Sequence, residues 1–213
     1  LLLFRDTMDE KKWSEKFMKY TKVLDRSGKT MEVVHNNTRK IVQVLRFPER
    51  QGDVFDLLTR GMTMKEAEDE YLRQCKDAQR RLDLLAKADP KAHIAAFEEY
   101  EVKKIPGGTG WQIEILKPYR MSLAELKKVH TLTKAEEKTL VDQLCQALRE
   151  GKKAECGHDR IKPENVFVVA ENEFALDDFH GETEPALGLL ADLVETPALK
   201  EQLAAGDVWS WNV

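Results

Sequence analysis

Residues with strand preference fill Met31 to His35 and Thr38 to Phe47, divided by the polar pair Asn36-Asn37, and this arrangement predicts a β-hairpin. A further β-rich run, Trp13 to Leu24, leads into it through the polar stretch Asp25 to Thr30. Gln51 to Gly61 reads as a linker with one apolar patch, Val54, Phe55, Leu57 and Leu58. Thr63 and Glu66 then form the two ends of a capping box, and Ala67, Tyr71, Cys75, Ala78, Leu82 and Leu85 recur at helical spacing until Asp89-Pro90. The result is a long amphipathic helix with one apolar stripe. His93 to Phe97 reads as the start of the next strand, and Phe97 to Ile105 and Trp111 to Leu116 as strands around the turn Pro106 to Gly110. These runs together predict a five-stranded antiparallel sheet with a helix laid on it.

The second half of the chain has a different rhythm. Ser122 to Leu126 begins a short helix, and Thr133 with Glu136 caps a longer one whose Leu140, Val141, Leu144, Ala147 and Leu148 share a face up to Gly151. Two apolar runs, Val166 to Ala170 and Phe174 to Leu176, flank the polar turn Glu171-Asn172-Glu173 and predict a second hairpin. Such a hairpin brings Asn165 and Asp178 together at its open end. An amide oxygen and a carboxylate converging there suit a hard divalent cation, which prefers oxygen ligands.

Composition narrows the classes. With 213 residues, of which 42% are hydrophobic, the chain can build one or two globular units with a real core. A formal net charge of -4 weighs against a nucleic-acid partner, which would call for a clustered basic surface. Cys75, Cys145 and Cys156 are odd in number and lack close metal-ligand spacing, as expected for free thiols in a reducing compartment such as the cytoplasm. Leu1 to Phe4 is too short for a signal-peptide core, and no stretch reaches the roughly 20 apolar residues of a membrane helix.

The stretch His158-Asp159-Arg160-Ile161-Lys162-Pro163-Glu164-Asn165, followed by Asp178-Phe179-His180, resembles the catalytic loop and D-F-G segment of protein kinases, in the serine/threonine form. Asp207-Val208-Trp209-Ser210 is similar to the segment that opens the central helix of the family's large lobe. The resemblance implies an α+β, two-lobed fold. Residues 1–118 would form a small lobe of five antiparallel strands and a long helix, and residues 119–213 part of a mainly helical large lobe, hinged at Lys117-Pro118-Tyr119. It also implies ATP with Mg²⁺ as ligands, Asn165 and Asp178 as metal ligands, and Gly28, Gln43 and Tyr119 at the positions that contact the nucleotide.

Several family positions hold the wrong chemistry. Arg160 stands where the family has its catalytic Asp, with Asp159 in the neighbouring Arg position, and a guanidinium cannot accept a proton from a substrate hydroxyl. Gln43 takes the place of the phosphate-pairing Lys, and an amide carries no charge to offset phosphate. Its acidic helix partner falls near Arg81, or at Asp77 or Asp83 with a register one turn away. Gly28 alone remains of the glycine-rich loop, and His180 replaces the Gly of D-F-G. Lys162 is retained, but no carboxylate is left in the base position. The expectation is a pseudokinase-like domain without efficient phosphoryl transfer, acting as a protein-interaction or regulatory module with a protein partner. The alternative is a divergent serine/threonine kinase that binds ATP and Mg²⁺ and recruits Asp159 or Asp177 as base. Small-molecule phosphotransferases that share the architecture, and a purely structural domain, are further readings.

Overall fold

A computed structural model of the chain describes residues 22–27, 29–158, 161–179 and 187–206. The fold is mixed α+β and divides into two compact units. One is built from the described residues up to Gln79 together with Ala96–Tyr119, and the other from Arg80–Ala95 and the described residues from Arg120 onward.

The first unit is a five-stranded antiparallel sheet in the order β1-β2-β3-β5-β4, with β1 Lys22–Ser27, β2 Thr30–His35, β3 Thr38–Phe47, β4 Glu99–Lys104 and β5 Trp111–Pro118. Asn36 and Asn37 join β2 to β3 with φ of 49° and 59°. Both central residues of this two-residue turn therefore take the left-handed conformation that matches strand twist, and Asn accepts it at low cost. The β4–β5 turn needs Gly110, at φ 103°, because a Cβ there would lie 2.1 Å from the carbonyl oxygen of Phe47.

Contrary to expectation, Gln51 to Gly61 is not a linker. It holds helix α1, Gly52–Thr59, whose start is stabilised by the Arg50 N–H donating to Asp53 Oδ2 at 3.0 Å. Val54, Leu57 and Leu58 project from it at helical spacing and pack with Phe47, Trp111, Ala67 and Tyr71. The last two belong to α2, Met64–Leu85, which opens on the reciprocal Thr63–Glu66 box. Ala67, Tyr71, Cys75, Leu82 and Leu85 of the expected stripe are buried, and Ala78 is half-buried. Val33, Val42 and Leu116 form a separate apolar cluster on the sheet.

In the second unit, α3 (Leu123–Leu126) and α4 (Lys134–Lys153) both start on capping boxes, from Ser122 and Thr133. Leu140, Val141, Leu144 and Leu148 of α4 are buried, each contributing about 1.5–3 kcal/mol from apolar surface removed from water. The hairpin of β6, Val166–Ala170, and β7, Glu173–Leu176, turns at Asn172. Each outer edge finds backbone partners. The Val168 N–H donates to Met121 O at 2.9 Å, while Leu176 exchanges bonds with His93 O and the Ala95 N–H, both at 2.8 Å.

The expected strand at His93 to Phe97 does not join the large sheet. Only Ile94 forms a bridge, parallel, to Leu176, because His93 at φ 56° breaks the extended run and its Nδ1 donates to Phe174 O at 3.1 Å. A 3₁₀ run, Leu187–Leu193, and helix α5, Pro197–Ala204, complete the described chain.

Candidate functional site

Lys162 leads in extended conformation into a 3₁₀ turn, Pro163–Asn165, with proline at the first helical position where its fixed φ suits the turn. The turn closes through the Asn165 N–H, which donates to Lys162 O at 2.9 Å, and delivers the chain into β6. Across the hairpin mouth the Asp177 N–H donates to Asn165 O at 2.9 Å. This backbone bond fixes the distance between the two strands where they open. Beyond it the Asn165 Nδ2 lies 3.5 Å from Asp178 Oδ2, so the structure brings together the two residues expected to meet.

Asp178 has φ of 70°, a left-handed backbone that Asp tolerates better than most residues. Its neighbours are tightly held. His158 is 1% exposed, and its Nε2 lies 2.6 Å from Asp177 O, so Nε2 carries the proton and donates. Phe179 is 3% exposed and meets the His158 ring edge-on, with centroids 5.3 Å apart at 81°.

The donor set fits part of a magnesium site. Mg²⁺ is commonly held by one or two carboxylates together with phosphate and water oxygens, and Asp178 supplies a carboxylate beside an amide. A half-turn of the Asn165 amide about its last torsion would exchange Nδ2 for Oδ1 and place an amide oxygen beside the carboxylate. Among the described residues no three His, Cys, Asp or Glu side chains gather as a metal-ligating group, so phosphate or water would complete the shell.

Lys162, on the same turn, is exposed. Asp159, Arg160, His180, Gly28 and Asp207 lie outside the described residues. Gln43 and Tyr119 belong to the first unit. Gln43 is 7% exposed, and its Oε1 accepts from the ammonium of Lys117, which is buried to the same degree on β5. This lysine was missed by sequence reasoning, which ended the strand at Leu116 and gave Lys117 to a hinge. The strand runs on to Pro118, and the pairings Gln43–Ile115 and Ile41–Lys117 put both side chains on one face.

Tyr119 does not offer a free ring face on the side that Arg39 covers, where the guanidinium carbon lies 3.8 Å from the ring centroid. Of the acidic residues considered for the helix, Asp77 pairs with Arg73 at 3.0 Å and Asp83 is exposed. All three cysteines are free and buried, and burial pushes each thiol up to about 11, far from the reactive range.

No protein-family model and no curated protein matches this chain. No helix among the described residues is long and apolar enough to cross a membrane.

Proposed function

We propose that this chain is a kinase-like, pseudokinase-type domain that does not transfer phosphoryl groups efficiently and works as a protein-interaction or regulatory module. The observation that carries this reading is the convergence of Asn165 and Asp178 at the hairpin mouth, in a sequence whose base position holds Arg160. The pair is what a nucleotide-metal site of this kind needs, and the missing carboxylate is what phosphoryl transfer needs. Gln43 adds to the argument, because the amide at the phosphate-pairing position is already engaged by Lys117. A protein partner, no nucleic acid and a reducing compartment are part of the same proposal.

The retained oxygen pair also supports the second reading, a weak kinase that binds ATP. Asn165 and Asp178 would hold Mg²⁺, which when bound neutralises phosphate charge. In that reading Asp159 or Asp177 would have to come within hydrogen-bond reach of the substrate hydroxyl.

Two measurements separate the readings. Phosphate transfer from labelled ATP to the chain itself and to generic protein substrates is expected to stay at background. Turnover that disappears in Asp159→Asn or Asp177→Asn would overturn the non-catalytic proposal. The unfolding midpoint with ATP and Mg²⁺, set against ATP and EDTA, then reports nucleotide binding without turnover, since a ligand that binds only the folded state raises it. A metal-dependent rise that Asp178→Asn abolishes assigns the pair to the nucleotide. A flat response leaves the interaction module alone.

A further inference from the structure

We infer that Gly151 is a positioning residue for the Asn165–Asp178 pair and that it acts through Phe179. The importance of that pair rests on the reading above, but the geometry of the coupling does not. Gly151 lies in the last turns of α4, where glycine is among the poorest helix formers. Its value there is steric. A Cβ at this position would stand 2.4 Å from Phe179 Cε1, 2.6 Å from Phe179 Cδ1 and 3.4 Å from Cys156 O.

The Phe179 ring therefore rests directly against the helix backbone, in a notch that any side chain would fill. It has little room to retreat, because His158 meets it edge-on and is itself tied to Asp177 O. Asp178 sits between two anchors as a result. On one side Asp177 is held by its N–H bond to Asn165 O and by His158, and on the other Phe179 is held by the notch. Asp tolerates a left-handed backbone but does not prefer it, so contacts on either side decide whether it is kept. The notch at Gly151 is one of the two enforcing elements, and it presets the carboxylate beside Asn165 before any ligand arrives.

The test uses the whole chain and three variants, Gly151→Ala, Phe179→Leu and the two combined. Amide hydrogen exchange of Asp177, whose N–H closes the hairpin mouth, reads the local geometry without any cation. In Gly151→Ala this exchange is expected to speed up by about tenfold relative to the amides in the middle of α4, as an overpacked site relaxes. The smaller side chain in the double variant should bring it back to within about twofold of wild type, a coupling that two independent substitutions would not show. An Asp177 rate that moves no more than the α4 amides, or a double variant no better than Gly151→Ala alone, overturns the positioning role. If Gly151→Ala does not fold, rescue of folding by Phe179→Leu decides the same question.

A second arm measures Mn²⁺ affinity from paramagnetic broadening of the Asn165 side-chain amide. Weakening by Gly151→Ala and recovery in the double variant are expected. Wild-type protein that shows no Mn²⁺ effect would sink the cation reading of the pair, while the exchange arm still decides the role of Gly151.

Discussion

Lys117 and Gln43 stand on adjacent strands, and the ammonium of the first donates to the side-chain oxygen of the second inside the sheet unit. An ammonium has only donors, so the amide must turn its oxygen toward Lys117 and its NH₂ away. Taking one acceptor away from a buried charge costs more than the bond itself contributes. Gln43→Leu is therefore expected to lower stability by about 1–3 kcal/mol. Gln43→Lys sets one ammonium against another and should be at least as destabilising. Lys117→Met combined with Gln43→Leu should recover part of the loss, since it removes the buried charge together with its acceptor. Urea unfolding of the four proteins measures this, and a neutral Gln43→Leu would remove the claim.

On β4 and β5 two buried carboxylates, Glu101 and Glu114, are paired directly across the ladder. Like charges in this arrangement repel. Lys103 relieves them, with its Nζ 2.6 Å from Glu114 and 3.6 Å from Glu101. Burial raises the Glu101 carboxyl, the charge of Lys103 opposes the rise and that of Glu114 adds to it. A carboxyl raised on folding favours the fold when protonated. Its contribution is thus fully present below the unfolded value and is lost as pH climbs through the folded one. Glu101→Gln should stabilise the protein near neutral pH by a few tenths to about 1 kcal/mol, and the difference should shrink as pH is lowered toward 4.5. Unfolding midpoints at a series of pH values check it, and a difference that holds steady with pH would point to some other cause.

The parts of the fold that were legible in the sequence were set by near neighbours. Thr63 with Glu66 and Thr133 with Glu136 start helices through bonds spanning three residues, and each box forms as its spacing demands. The meeting of Asn165 and Asp178 was legible for a similar reason, because a short turn at Asn172 leaves little choice of where the hairpin ends fall. Helix α1 was not, because Gln51 supplies no side-chain cap and Gly52 reads as a breaker, although Val54, Leu57 and Leu58 carried the helical spacing. His93 was misjudged since its turn is imposed by Phe174, which lies 81 residues away. Nor could β5 alone reveal that Lys117 would meet Gln43. That contact depends on the register with β3, which long-range packing decides.

Glu137, on the first turn of α4, is 1% exposed and takes backbone N–H bonds from Glu195 and from Thr196, the latter at 2.9 Å. Thr196 is the residue that precedes α5, and it has no side-chain cap of its own, so this carboxylate secures the approach to that helix from a distance. Burial pushes the Glu137 carboxyl upward, but the bonds from Thr196 and the two backbone N–H groups, helped by the charge of Lys127, more than offset it. The carboxyl lies below its usual 4.5 as a result. A carboxyl lowered on folding adds stability above its unfolded value and loses that increment as pH falls through the folded one. Glu137→Gln keeps the shape but turns one acceptor into a donor facing an N–H, so it should cost about 1–3 kcal/mol at neutral pH. Because the variant has no proton to gain, the gap between the two proteins should narrow as pH falls from 6 toward 3. Urea midpoints across that range, with exchange rates of the Glu195 and Thr196 amides, measure both effects. A gap that stays constant down to pH 3, or amides that exchange equally fast in both proteins, would show that the carboxylate does not hold this segment.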